Sequence, residues 1–186
     1  MAWTTEAIDR VEANSKTTGG NFVNIGQIDG EAKFRFVGEG IDGVQCWVAD
    51  PDGGKDKPMR FEEQPAEDPA GLRKRESGSV YQGFMACFAW NYEAEKFQTM
   101  VITQKAIKDA LIDHIRDEDF GDPTDPKTGY DFKIRREVTG PQPRDVKYHF
   151  KALAPKPLSK QVADAFDELS GDLTKLYDGE DPLAKD

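Results

Sequence analysis

The stretch Val80–Thr103, VYQGFMACFAWNYEAEKFQTMVIT, constrains the fold of this chain more than any other. Aromatic and β-branched residues dominate it, and the polar run Asn91–Glu95 divides it into the two strands of a hairpin. In the first strand Val80, Gln82, Phe84, Ala86, Phe88 and Trp90 point one way, and Tyr81, Gly83, Met85, Cys87 and Ala89 the other. Neither set is polar, so both faces should be covered over much of the length, as in a central strand of a small barrel whose ends emerge into a groove.

The neighbouring segments extend this sheet. Ala32–Val37 alternates Phe34 and Phe36 inward with Lys33 and Arg35 outward, and Val44–Ala49 is a second strand. Between them GEGIDG, Gly38–Gly43, has the letters of a dinucleotide fingerprint. That motif needs a helix after it, whereas VQCWVA predicts a strand, so the glycines read as a hairpin turn. Asp50–Ser79 is rich in Pro, Gly and charge, with a short candidate strand at Pro58–Phe61. Its bases, Arg60, Arg73, Lys74 and Arg75 among them, belong either to a solvated flexible insertion or to a flap that closes on an anionic ligand.

Beyond the hairpin, Ile107, Ala110, Leu111, His114 and Ile115 fall on one face of a helix over Gln104–Arg116, with Thr103 as its N-cap and His114 as a packed or rim histidine rather than a ligand. Asp117–Gly129 is an acidic loop. A calcium loop would need Gly and Glu at its sixth and twelfth positions, where Asp122 and Thr128 stand. Two alternating strands follow, Tyr130–Arg136 and Asp145–Ala152, joined by a hairpin connection at TGPQPR. Each turns an apolar face to the core and a basic face outward, with Lys133 and Arg135 on one, and Lys147 and Lys151 on the other. Pro155 and Pro157 end the sheet, Ser159 caps a helix to about Leu169, and DGEDPLAKD finishes the chain as a disordered tail.

Charge is distributed unevenly. The net charge of −10 argues against polyanion binding, yet Tyr130–Lys151 carries six bases against three acids, while Ser159–Asp186 carries eight acids against three lysines. Basic strands are thus set in an acidic protein. Cys46 and Cys87 read as two buried free thiols of a reducing compartment. Met1–Asn14 lacks the apolar run of a signal peptide, and no stretch approaches the length of a membrane span.

The expected organisation is an N-terminal arm (1–21), a globular domain (22–158) with its insertion (50–79), and a short helix with an acidic tail (159–186). No catalytic or metal-ligating constellation is present in the sequence, so neither enzyme activity nor a metal or cofactor is expected. A strand, strand, strand, helix, strand, strand order with basic outward faces predicts a mainly β fold with one or two helices. The specific expectation is an OB-fold five-stranded Greek-key barrel with a long early insertion and a C-terminal tail. Such barrels bind single strands by stacking bases on aromatic rings while Lys and Arg track phosphates. The stacking candidates are Trp47, Tyr81, Trp90 and Tyr92; the phosphate candidates are Lys33, Arg35, Arg60, Arg73, Lys74, Arg75, Lys133, Arg135, Lys147 and Lys151. The alternative is a non-catalytic adaptor whose barrel binds another protein.

The runs FMACFAWNYEAEKFQTMVITQKAI, DFGDPTDPKTGYDFKIRREVTG and VKYHFKALAPKPLS, taken in that order, resemble the single-stranded DNA-binding (helix-destabilising) proteins of tailed bacteriophages, over roughly Phe22–Ser159. The resemblance implies an OB-fold domain that coats single-stranded DNA in phage replication, recombination and repair, in the host cytoplasm. It further implies an acidic tail that recruits replication or recombination proteins, here Asp172, Asp178, Glu180, Asp181 and Asp186. Relatives of this kind carry a Cys/His zinc insertion between the early strands. Asp50–Ser79 has neither residue, so zinc is not carried over.

Overall fold

The computed structural model describes residues 20–74, 78 and 80–185. Residues 1–19 of the expected N-terminal arm, together with Arg75 and Asp186, lie outside them. Six antiparallel strands form one sheet: β1 (Glu31–Val48), β2 (Lys57–Phe61), β3 (Gln82–Asn91), β4 (Lys96–Ile102), β5 (Asp131–Val138) and β6 (Val146–Ala152), in the order β4-β3-β1-β5-β6. β2 pairs with the second half of β1, so β5 and β2 follow one another along the same edge of that strand. Among the described residues two α-helices accompany the sheet, α1 (Lys105–Arg116) and α2 (Lys160–Asp167).

The hairpin that anchors the reading is present. β3 and β4 pair from Met85↔Ile102 to Asn91↔Lys96 around a turn in which Glu95 takes a left-handed φ of 51°. Both of its faces are covered, as its composition requires. On one side Cys87, Ala89, Met100 and Ile102 pack with Phe34, Phe36, Phe132 and Ile134 under Ile107 and Leu111 of α1. On the other, Phe84, Phe88, Trp90 and Phe97 pack with Val37 under Val162 of α2 and Leu173 and Leu176 of a 3-10 helix, Leu173–Asp178. Two apolar layers thus sandwich the sheet.

Three expectations are corrected. The glycine-rich run does not reverse the chain: β1 continues for 18 residues, and the same strand β3 pairs with it on both sides of a bulge between Val37 and Ile41. Gly38, at φ 71°, lets the backbone accommodate the extra residues that bend the strand. Next, helix α1 starts one residue late, with Gln104 rather than Thr103 at its N-cap. Finally, the acidic tail, expected to be disordered, is folded as far as Lys185. Ser159 does cap α2, but the chain beyond it folds back over the sheet, where Pro182 is buried and its carbonyl accepts from the Asp172 amide. Leu173, Leu176 and Leu183 have apolar surface to bury against Phe88 and Trp90, and this outweighs the tail's charge.

The insertion is also pinned to the sheet. The short strand expected at Pro58–Phe61 forms as β2, and its return arm bridges β1 at Leu72, with the Arg73 amide bonded to the Trp47 carbonyl at 2.8 Å. Cys46 and Cys87 are both free and buried, and burial pushes the Cys87 thiol up to about 12. No helix among the described residues is long and apolar enough to cross a membrane.

Candidate nucleic-acid interface

The outward faces of β1, β5 and β6 are in register. Lys33 pairs with Lys133, and Lys133 with Lys151, placing three ammonium groups in one row across three strands. The next row is Glu31, Arg135 and His149, and the third is Glu137 with Lys147. Neighbouring strands lie about 4.8 Å apart and successive same-face residues about 6.7 Å, so this ladder is a compact cationic patch. It forms because each strand alternates strictly: Phe34, Phe132 and Ile134 are buried beneath it, while Arg135, Lys147 and Lys151 are exposed.

Two of the lysines have local partners. Lys133 Nζ lies 2.9 Å from Glu31 Oε1, and Lys33 Nζ lies 3.2 Å from Asp131 Oδ2 and 4.3 Å from the centre of the Tyr92 ring. The bond from Lys133 holds the Glu31 carboxyl below its ordinary range. His149 Nε2 sits 2.8 Å from Glu137 Oε2 and lowers that carboxyl in the same way. The pairs Lys133–Glu31 and His149–Glu137 are exposed on both sides and such pairs are worth about 0–1 kcal/mol, so an incoming anion exchanges for them at little cost, whereas the Asp131 end of the Lys33 pair is buried.

Arg35, expected on the same face, is not available. It points outward from β1, but the loop before β5 and the exit from β6 cover it there. Its Nη2 donates to the Asp125 carbonyl at 2.9 Å and its Nη1 to the Lys156 carbonyl at 3.1 Å. A Cβ on Gly129 would come within 2.6 Å of the Pro123 carbonyl oxygen and 3.0 Å of Arg35 Nη2, so only glycine lets the loop wrap the guanidinium this tightly.

The aromatic candidates separate. Trp90 is 4% exposed and packs edge-on against Phe97 with ring centres 5.1 Å apart, so it belongs to the second apolar layer and offers no stacking face. Its position near the strand end suggested exposure, but the folded C-terminal segment covers that end. Tyr92 is half-buried; its hydroxyl donates to Asp131 Oδ1 at 2.8 Å and Lys33 sits over its ring. Burial, and then the bond to Asp131, raise its pKa well above the usual phenol range.

Trp47 and Tyr81 gather at the far end of β1 with the insertion. Trp47 is 36% exposed and pairs with Pro58, two positions from the Gln45↔Arg60 pair on the same face. Arg60 is half-buried, donates through Nε to Gln45 Oε1 at 2.8 Å and places its guanidinium carbon 5.9 Å from the Phe84 ring centre. Tyr81 donates to Asp68 Oδ1 at 2.9 Å, and burial followed by that bond pushes it up to about 12. Arg73 makes a forked contact to Asp56 at 3.1 Å, and Lys74 beside it is exposed. The candidates therefore form two groups at opposite ends of an 18-residue strand.

Among the acids of the C-terminal segment, two serve local structure. Asp172 caps the 3-10 helix through bonds from the Thr174 amide and hydroxyl at 2.9 and 2.6 Å, which lower its pKa. Asp181 accepts from Asn21 Nδ2 at 2.7 Å. Asp178 and Glu180 are exposed.

Residue-by-residue reading missed the hub beneath the ladder. Asp131 Oδ2 lies 2.8 Å from Lys156 Nζ as well as 3.2 Å from Lys33. Burial alone raises this carboxyl, but the bonds from Lys156, Tyr92 and Lys33 together outweigh it and hold the group below its ordinary range. No signal local to Lys156 marks it, because it reaches Asp131 only after the chain leaves β6. No known family model and no curated protein sequence matches this chain.

Proposed function

We propose that this chain is a sequence-nonspecific single-stranded DNA-binding protein built on an OB-type barrel, acting by coating the strand rather than by chemistry. The observation that carries the reading is the cationic ladder of Lys33, Lys133, Arg135, Lys147 and Lys151 across three strands. Contacts to phosphate position a nucleic acid without reading its bases, which suits a protein that must cover any sequence. Arg135, Lys147 and Lys151 supply the exposed charges, and Lys133 exchanges Glu31 for a phosphate.

The topology supports the OB reading. With β2 counted as part of the insertion, a bent first strand, a two-stranded hairpin, a helix and a second hairpin that returns to the first strand are compatible with a barrel of that kind. The insertion then occupies the loop between its first two strands, where Trp47, Arg60 and Lys74 offer a second stretch of contact. The resemblance over Phe22–Ser159 supports a role in phage replication, recombination and repair within the host cytoplasm, with the acidic segment contacting partner proteins.

Titration of the full chain with labelled single-stranded oligonucleotides of mixed sequence tests the reading. Affinity should rise with length and fall with salt, with a log–log slope of about −0.7 per phosphate contacted. Binding that depends on neither length nor salt would leave the ladder a merely solvated face, as an adaptor requires.

A further inference from the structure

The bulge in β1 opens an apolar pocket of about 270 Å³ that the ladder does not use. Phe36, Met85, Ile102 and Leu111 form its floor, and Ile115 stands at its lip with 41% of its surface exposed. The volume is below the usual 300–1,000 Å³ of a drug-sized ligand site, so it suits one or two apolar side chains rather than a whole cofactor. Its rim is acidic. Glu39 and Asp42 line it from β1 and are exposed, and Asp122 lines it from the loop after α1. Among the described residues no cation pairs with Glu39 or Asp42, and the Asp122 carboxylate accepts from the amide and hydroxyl of Thr124, at 2.8 Å, with no cation beside it. Asp117, Glu118 and Asp119, exposed on the same loop, extend the negative field.

We infer that this pocket docks a partner protein through a basic segment carrying one or two apolar anchor side chains. The anchors displace water from a floor with few polar groups, and the flanking Lys or Arg residues meet carboxylates that have no other counter-charge. Charge complementarity selects this occupant: the rim repels a nucleic acid, so the pocket and the ladder serve different ligands. Nothing in this inference uses the ladder, and a failure of DNA binding leaves it standing.

The test uses a labelled twelve-residue peptide alternating lysine with leucine, titrated into the full-length protein, beside a peptide of equal charge with serine in place of leucine. The leucine peptide should bind at least about tenfold tighter than the serine peptide, and Ile115→Ser or the double variant Glu39→Lys/Asp42→Lys should each weaken it about tenfold. All three substitutions fall on exposed side chains, and circular dichroism checks that the fold persists. Methyl NMR of the wild type should show shifts at Ile102, Leu111 and Ile115. Equal binding of the two peptides, affinity unchanged in both variants, or methyl shifts confined to other regions would overturn the inference. So would sedimentation showing a wild-type dimer that Ile115→Ser dissociates, since a second copy would then own the pocket.

Discussion

Arg35 and Asp131 are register partners across β1 and β5, with Nη1 3.7 Å from Oδ1 and each side chain only 1% exposed. Both point to the outward face of the sheet, yet both are buried there. Their surroundings join four segments: Tyr92 from the central hairpin, Asp125 from the acidic loop, Lys156 from the exit of β6, and Lys33 from the ladder. A buried ion pair repays its desolvation poorly, so the value of this one lies in fixing where those segments meet. It forms the floor on which the exposed bases stand.

Replacing Asp131 with Asn should therefore cost about 3–5 kcal/mol, because Arg35 would be left buried without its counter-charge. The pH dependence has a defined sign. The folded carboxyl titrates below the ordinary aspartate value near 3.9, so its stabilisation is complete above that value and is lost as pH falls through the folded pKa. Urea denaturation at neutral pH and at several values below 4 should show the wild type losing more stability with acid than Asp131→Asn does. Parallel loss in the two proteins would mean that other carboxylates govern acid unfolding.

The ladder predicts a graded response to truncation. Arg135→Ala and Lys147→Ala should each flatten the salt slope of single-strand binding by about 0.7, since each removes one phosphate contact. Lys33→Ala should change it less, because that ammonium is already committed to Asp131 and the Tyr92 ring. Unchanged slopes in both Arg135→Ala and Lys147→Ala would move the interface to another face.

The tryptophans should part company. Trp47→Ala should weaken binding by about 1–3 kcal/mol if a base stacks on it, with little change in stability. Trp90→Ala should instead lower stability by about 3–5 kcal/mol, since it empties a filled site against Phe97. Acrylamide quenching of the single variants, with and without oligothymidine, reads the difference. With Trp3 replaced by Phe throughout, protection on binding should vanish in Trp47→Ala, and its persistence there would exclude Trp47 from the contact.

What the sequence reveals here follows period and local composition. Alternation in Tyr130–Arg136 and Asp145–Ala152 gives the inward and outward sets of β5 and β6 correctly, and the unbroken apolarity of Val80–Thr103 announces two covered faces. The failures share one cause. Alternation says which side of a sheet a residue takes but not what else lies on that side. Arg35 and Trp90 both point away from the first core, and distant segments then cover them: Asp125 and Lys156 over one, the C-terminal fold over the other. Gly38–Gly43 fails differently, because a glycine-rich bulge and a glycine-rich turn have the same composition. Only the common partner β3 on both sides of the bend separates them.

The folded C-terminal segment makes the effect of its charge separable from the effect of its packing. Along β1 the outward positions Lys33 and Arg35 lead to Val37, which packs in the same cluster as Leu173 and Leu176, so the segment and the ladder share one face of the sheet. Deleting Asp172–Asp186 would expose Phe88 and Trp90 and confound any change in affinity, whereas Leu176→Ala alone should cost about 2–5 kcal/mol of stability. Asp178→Asn with Glu180→Gln removes exposed charge and spares the buried leucines. If the acidic segment opposes DNA at the ladder, this double variant should bind oligothymidine more tightly at low salt, and the gain should shrink as ionic strength rises toward 0.15 M, where the Debye length is about 8 Å. Equal affinities at low salt would mean that the segment does not compete with the strand, and would leave it as a structural cover whose outward acids are free for partner proteins.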